Sequence, residues 1–325
     1  MRWLTLLLIG GLVLAVSGQA WALSLTGYTT GAPLSFHFNS VDTGPFYKLG
    51  GPYATPGACD LGQLTGGKGL IDPVTLLPWI AKEDAWGIAK VSNITDPDDN
   101  TIVYWTPGPN SELSAMFVGT WDQSVSVAYS AAGPGNTYDV TQDTYANNFK
   151  VFLFEDPTPD YNAVPGPAAR NGAFSYPTAT DGTLLFEAVG VKGLSNPLNA
   201  LLNPVEHTTT STLRYDKGPD GIAGTADDTF FKLIKGSGSS YVEIADANGV
   251  GGITGQEWNN NMFDLGGGVK ADLYMSWTLT EPIGFTKWDT ADQDPVQGNY
   301  VPEPVTMAGL FLGIGCLSRY IRKRR

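Results

Sequence analysis

The strongest constraint on the fold is a two-residue alternation of apolar and polar side chains. Segment 271–279 shows it most clearly, because every second residue is apolar: Ala271, Leu273, Met275, Trp277 and Leu279. Segment 123–129 repeats the pattern with Val125, Val127 and Tyr129. Successive side chains of a β-strand point to opposite faces of its sheet. The alternation therefore predicts strands with one buried and one solvated face.

Nine further segments rich in β-branched and aromatic residues predict strands, namely 34–38, 86–94, 101–105, 113–119, 149–155, 183–189, 209–215, 229–235 and 241–244. Turn-forming residues separate them, and the 40 glycines and 22 prolines of the chain suit many tight connections. A helical pattern is confined to 196–202. Many short strands with little helix predict an all-β domain, a β-sandwich or jelly roll, over 23–287. The polar, Asp-rich segment 288–300 is interpreted as a tether.

The N-terminus has the pattern of a cleavable secretory signal peptide. Arg2 precedes an apolar stretch over 4–16, and Ala20-Trp21-Ala22 matches the small-x-small cleavage pattern. Residues 1–22 are therefore predicted to leave with the signal peptide. A retained membrane anchor is the alternative, which the shortness of the apolar stretch disfavours.

The C-terminus has three parts. Pro302-Glu303-Pro304 is followed by an apolar run over 305–317 and then by a basic cluster, Arg319, Arg322, Lys323, Arg324 and Arg325. As a helix the apolar run extends about 20 Å, which is short against a bilayer core of about 30 Å. Basic residues favour the cytoplasmic side, which leaves the upstream chain outside.

This arrangement over 301–325 resembles the PEP-CTERM sorting signal, with Pro302, Glu303 and Pro304 as its signature. The resemblance implies a transient anchor in the inner membrane of a Gram-negative bacterium and removal of the tail by an exosortase. It further implies release to the cell surface or extracellular matrix, with a role in biofilm or exopolysaccharide. Segment 83–88 is also loosely similar to a stretch of other PEP-CTERM proteins.

The charge of the mature chain excludes one class of partner. Loss of Arg2 and the five basic tail residues leaves 13 basic side chains against 32 acidic ones, a net charge of −19. Such a field repels nucleic acid and anionic lipid and attracts cations.

One acidic loop is a candidate calcium site. On the twelve-residue EF-hand spacing, Asp216, Asp220 and Asp227 take ligand positions one, five and twelve, Ile222 offers its carbonyl, and Asp228 lies adjacent. The segments on either side have strand patterns, so the loop is more similar to the calcium loops of bacterial surface proteins than to an EF-hand. A solvated acidic hairpin turn is the alternative interpretation.

A second segment has similar spacing, with Asp246, Asn248, Gly251, Ile253 and Glu257, but Val250 interrupts it. A glycine-rich loop that contains acidic residues is the preferred interpretation, and a calcium site is the alternative. The acidic run 96–100 contains Pro97 and is predicted to be a turn whose side chains bond its own backbone.

Motifs of common enzymes are missing from the sequence. His37 and His207 are the only histidines, and no HExxH, GxSxG, CxxC or glycine-rich nucleotide loop occurs. We therefore expect a non-enzymatic structural or interaction protein. A carbohydrate-binding module that uses an aromatic residue such as Trp258 is the first alternative. A glycan hydrolase with two carboxylates is the second, with candidates Glu155, Glu187, Glu243 and Glu257.

Overall fold

A computed structural model describes residues 23, 25–46, 65–66, 68–193, 205–225, 227–244, 258–284 and 287–299. These ranges form strands and one short 3₁₀ helix, Pro167–Ala169. The strands are β1 (Pro33–Thr43), β2 (Pro45–Phe46), β3 (Thr65–Gly66), β4 (Ala85–Thr95), β5 (Val103–Trp105), β6 (Glu112–Ala132), β7 (Thr137–Asn147), β8 (Lys150–Asp156), β9 (Thr183–Gly190), β10 (His207–Asp216), β11 (Thr229–Ile244), β12 (Phe263–Gly266), β13 (Val269–Ala271), β14 (Leu273–Thr280) and β15 (Thr290–Asn299).

Eleven strands form one antiparallel sheet in the order β10-β7-β6-β8-β9-β11-β14-β15-β1-β4-β5. Two further pairings, β4 with β6 and β10 with β11, join strands that are distant in this order. Three routes of pairing therefore connect the long strands β6 and β11: through β8 and β9, through β7 and β10, and through β4, β1, β15 and β14. The all-β prediction is confirmed, and the large antiparallel sheet is consistent with a β-sandwich.

Two apolar cores lie along the inward faces of these strands. The main core is built mostly from β1, β4, β8, β9, β11 and β14, and includes Leu34, Phe36, Val91, Leu153, Val242 and Leu273. The second core is built mostly from β6, β7 and β10, and includes Val125, Val127, Tyr138, Val140, Leu213 and Tyr215. Trp277 of β14 packs against both cores. The seam between the two cores positions the cavity described below.

A third apolar cluster covers the outer face of β4, β6 and β8. Trp86 lies at its centre, with its ring centroid 5.3 Å from that of Trp288 and 6.2 Å from that of Tyr176. The loop after β8 is fastened to this cluster by an ion pair in which both side chains are fully buried, Arg170 Nη1 to Glu83 Oε2 at 2.7 Å. The Arg170 guanidinium also lies 4.7 Å over the Trp86 ring.

Most strand predictions are confirmed, with segments 113–119 and 123–129 joined in β6, and 229–235 and 241–244 joined in β11. The interpretation of 288–300 as a tether is wrong. Trp288 is buried, and residues 290–299 form β15, which pairs with β1 on one side and β14 on the other. Two-sided pairing satisfies the backbone polar groups of the segment, which a solvated tether would leave to water. Strand β7 and the short strands β2, β3 and β12 were also missed.

Several predictions lie outside the described residues: the signal peptide with Ala20 and Ala22, the helical segment 196–202, the second acidic loop from Asp246 to Glu257, and the whole sorting signal over 301–325. Among the described residues, no helix is long and apolar enough to cross a membrane. The acidic turn at 96–100 is confirmed, since Asp96 Oδ1 accepts hydrogen bonds from the backbone N–H groups of Asp98 and Asp99.

Candidate functional site

The first candidate site is the acidic loop, which connects β10 to β11 as a hairpin over 217–228. Gly218 and Gly221 have φ values of 65° and 69°, in the region that favours glycine. A Cβ on Gly218 would lie 2.8 Å from the backbone oxygen of Asp227, so a larger residue there would force the loop to shift. The hairpin itself therefore favours glycine at this position.

Three of the predicted ligands come together at this loop. Carboxylate oxygens of Asp220, Asp227 and Asp228 all lie within 4.8 Å of one another. Asp220 and Asp227 are exposed, whereas Asp228 is fully buried. Two exposed carboxylates beside a buried one give a cation access from solvent and an anchored ligand at the base of the loop.

Hydrogen-bond donors of the loop and of β7 hold the Asp228 carboxylate in place. Its Oδ2 accepts hydrogen bonds from the Gly224 N–H at 2.6 Å, from the Thr225 N–H at 3.0 Å and from the Tyr138 hydroxyl. Burial and this hydrogen bond to Asp228 raise the pKa of Tyr138, so its hydroxyl stays protonated and remains a donor. The loop is therefore fixed to the second core through Tyr138.

Of the other two predicted ligands, Asp216 is not part of this group, and the Ile222 carbonyl belongs to the same loop. Asp216 is the last residue of β10, where it pairs with Thr137 of β7 and Thr229 of β11. The Ile222 carbonyl accepts a hydrogen bond from the Thr225 hydroxyl at 3.0 Å. The loop thus gathers three carboxylates, fewer protein oxygens than the EF-hand spacing predicted, and water or carbonyls must supply the remaining ligands of a bound calcium.

A second acidic group was not predicted from the sequence. Glu112, Asp156 and Asp160 also bring carboxylate oxygens within 4.8 Å of one another. Their charge is partly matched within the protein, because Lys90 pairs with Glu112, whose Oε1 also accepts the Tyr161 N–H at 2.8 Å. These contacts explain the group as part of the packing of the loop after β8.

The second candidate site is a cavity of about 150 Å³ at the seam between the two cores. Its apolar wall comprises Phe117, Phe149, Leu233, Met275, Trp277 and Leu279. Its polar lining includes Asp42, Asp122, Gln142, His207, Thr290 and Asp292, from β1, β6, β7, β10 and β15. A mostly apolar cavity with a few convergent polar groups is the usual form of a small-molecule site.

Two of the lining carboxylates belong to one hydrogen-bonded pair. In the β1–β15 register, Asp42 lies opposite Thr290 and one diagonal step from Asp292, which lies opposite Ser40. Burial raises the pKa of Asp42, although hydrogen bonds from Asp292 and Thr290 lower it in part. A hydrogen bond between two carboxyl groups needs a proton on one of them, and burial favours the protonated form of Asp42.

A second carboxyl pair adjoins the cavity. Asp122 N–H donates to Asp84 Oδ2 at 2.9 Å, and Asp84 is almost completely buried. Burial first, and the Asp122 carboxylate second, raise the pKa of Asp84 to about 9. Asp84 is therefore protonated at pH 7, which lets the two carboxyl groups lie together without two buried charges.

His207 completes the polar lining. Its side chain is 6% exposed, its Nδ1 has no hydrogen-bond partner, and its ring packs against Phe149 and Trp277. Burial lowers the pKa of His207 to about 4, so the ring is neutral at pH 7. No role was predicted for His207 from the sequence. His37, by contrast, lies on the outer face of β1, partly buried and bonded to Thr95 Oγ1 at 2.9 Å.

The polar residues of the cavity follow apolar ones on the same face of their strands. On β1, the inward series Leu34, Phe36, Phe38 and Ser40 continues with Asp42, which lines the cavity. On β7, Tyr138 and Val140 are followed by Gln142 and Thr144. The change from apolar to polar residues at alternate positions of these strands was the signal available in the sequence. It can be recognised only after several strands have been aligned with one another.

The predicted carbohydrate contact at Trp258 is wrong. Trp258 is 1% exposed and packs between Phe36 and Phe186, at centroid distances of 5.3 and 5.8 Å, in the main core. Its size makes it a core residue despite the three asparagines that follow it.

Of the glutamates considered for hydrolysis, Glu257 lies outside the described residues. Glu155 and Glu187 lie opposite Thr183 and Phe152 respectively, three positions apart along β8. Glu243 lies opposite Val189, one diagonal step from Glu187 on the outer face. Only this last pair could approach across the sheet.

Comparisons with known proteins add no further constraint: no family model, no curated protein and no solved structure matches the chain.

Proposed function

We propose that this chain is an exported structural or interaction protein of the cell surface or extracellular matrix, with a β-sandwich domain that calcium stabilises. One observation carries the calcium part, the grouping of Asp220, Asp227 and Asp228 within 4.8 Å on a solvent-facing hairpin loop. Calcium takes six to eight oxygen ligands and accepts flexible geometry, so three carboxylates completed by water or carbonyl oxygens form a reasonable site.

The two ends of the sequence support the location. The signal peptide over 1–22 directs export, and the tail with Pro302, Glu303 and Pro304 makes the chain a substrate of exosortase. Its membrane contact is transient and ends when the tail is removed. The acidic mature domain then acts among exopolysaccharide, without nucleic-acid partners and without catalysis.

Thermal unfolding in a chelator and in graded calcium tests this function. The melting temperature should rise with calcium, by an amount equivalent to about 2.7 kcal/mol when calcium exceeds its dissociation constant a hundredfold. The double variant Asp220→Asn, Asp227→Asn should lose this response. Asp98→Asn, which removes an exposed carboxylate from another turn, should keep it. An equal response in the wild type and the double variant would remove the loop from the proposal.

Carbohydrate binding is a second candidate, which one surface cluster favours. The rings of Tyr241, Phe263 and Tyr274 are all partly exposed, with centroids 4.8 Å apart for Tyr241–Tyr274 and 5.6 Å apart for Tyr241–Phe263. Aromatic faces are suitable platforms for sugar rings. Retention on exopolysaccharide that Tyr274→Ala abolishes and Tyr129→Ala preserves would support this function, whereas equal retention of both variants would oppose it.

A further inference from the structure

The cavity at the seam of the two cores has the size of a small-molecule site. Its volume is about 150 Å³. An engineered apolar cavity of that volume in another protein binds benzene. The cavity therefore has room for one compact ligand the size of a substituted benzene ring.

The charge of the lining selects the kind of ligand. Asp42, Asp122 and Asp292 contribute carboxyl groups, and the described residues that line the cavity include no lysine or arginine. The strands β7, β11 and β14 contribute only neutral side chains to the wall. An anion would meet carboxylates with no compensating cation, whereas a cation would find acceptors on two sides.

Unsatisfied hydrogen-bonding capacity points the same way. His207 is more than nine-tenths buried, lines the cavity, and its Nδ1 has no partner among the described residues. A buried ring nitrogen without a partner costs free energy unless a ligand or water bonds to it. A ligand in the cavity can supply the missing partner of this nitrogen through a polar atom of its body.

The aromatic wall is compatible with the same ligand. Phe149 and Trp277 line the cavity and pack around the His207 ring. Aromatic faces attract cations, with the indole ring the strongest. A metal ion fits less well, since the carboxyl groups and imidazole of the cavity are not among the described groups whose ligand atoms converge within 4.8 Å.

We propose that this cavity is a binding site for a small organic ammonium ion with an apolar body, with the ammonium held by Asp42 and Asp292 and the body lined by His207, Trp277 and Phe149. The ammonium replaces the proton of the Asp42–Asp292 pair, and the apolar body fills the space between the two cores. This site is separate from the acidic hairpin loop and does not depend on the proposed calcium function.

Calorimetric titration of the full chain tests the proposal, with benzylammonium as the probe and chelator present. We expect saturable binding, and binding of the neutral isostere benzyl alcohol that is at least about tenfold weaker, since a charge-assisted hydrogen bond contributes about 1.5–3 kcal/mol. Asp42→Asn and Asp292→Asn should each weaken benzylammonium by about tenfold or more while benzyl alcohol is unaffected. Asp98→Asn is the matched control and should bind like the wild type.

Three results would overturn the proposal. Equal affinity for benzylammonium and benzyl alcohol would make the cavity a neutral apolar site. Displacement of benzylammonium by calcium or manganese in the Asp220→Asn, Asp227→Asn background, with chelator omitted, would make it a metal site. No saturable binding by the wild type at millimolar probe would leave a cavity that holds only water. Melting curves of both cavity variants establish that they are folded before titration.

Discussion

The acidic hairpin loop and the cavity gather carboxylates in opposite ways. In the loop, Asp220, Asp227 and Asp228 lie within nine residues of one another, and backbone N–H groups of the same loop hold Asp228. In the cavity, Asp42, Asp122 and Asp292 come from strands that are distant in the sequence. Local carboxylates are stabilised by local donors and water, whereas the distant ones are brought together by strand pairing.

This difference determines how each region manages its charge. The exposed side chains of Asp220 and Asp227 remain in contact with water, so a cation can join them at little desolvation cost. Burial largely removes the cavity groups from water and favours the neutral form of Asp42 and of Asp84 beside Asp122. Burial therefore sets how much it costs to keep carboxyl groups close together in this protein.

The largest expected effect tests whether burial sets the cost of an unmatched carboxylate. Arg170→Ala should destabilise the fold by about 3–5 kcal/mol, because it leaves the fully buried Glu83 without its cation. Urea denaturation measures the loss. Lys232→Ala removes one partner of an exposed pair, at 3.5 Å from Glu281, and should change stability little. Similar losses of stability in the two variants would contradict the expectation that burial sets the cost of an unmatched charge.

The next effect concerns pH. Because the pKa of Asp84 is raised to about 9 in the folded state, the folded protein binds one proton more than the unfolded chain between about pH 4 and pH 9. This contribution to stability is complete below pH 4 and is lost as the pH rises towards 9, with a slope of up to about 1.4 kcal/mol per pH unit.

Asp84→Asn replaces the protonated carboxyl group by a neutral amide of the same shape, so its stability should depend less on pH and exceed that of the wild type at pH 8. Urea denaturation from pH 5 to pH 8 measures both slopes. Asp220→Asn, in the exposed loop, is the control and should keep the wild-type slope. A slope that Asp84→Asn leaves unchanged would assign the bound proton to another group.

The smallest effect lies within the loop. In chelator, Asp228→Ala should cost about 1–3 kcal/mol, since it leaves the buried Tyr138 hydroxyl and two backbone N–H groups without their acceptor. Asp220→Ala should leave the melting temperature unchanged in chelator, because that side chain is exposed. Equal losses would mean that the loop positions both residues by the same contacts.

Strand prediction succeeded where inward faces are apolar throughout, as along β14 with Leu273, Met275 and Leu279. It failed at β7 and β15, whose inward positions Gln142, Thr144, Thr290 and Asp292 line the cavity. Alternation of hydrophobicity identifies a strand only when its buried face is hydrophobic. A polar cavity removes that signal from the strands around it, and local rules are expected to fail at such sites.

The candidate sites also differ in how far the sequence could predict them. The acidic loop could be predicted because its residues are close in the sequence, although strand pairing left Asp216 out of the carboxylate group. Neither His207 nor the Asp42–Asp292 pair could be assigned a role from the sequence alone. Trp258 was misjudged because its polar neighbours give no information about the depth of its own side chain.

The sequence by itself determined the all-β class, most strand positions, the acidic loop and the predicted signals at both ends, since each depends on residues that are close along the chain. Only the tertiary structure decided which carboxyl groups meet and which of them are buried. The pairing of β1 with β15 brings Asp42 towards Asp292 across about 250 residues of sequence. Such meetings depend on strand register, and register is set by the packing of the whole sheet.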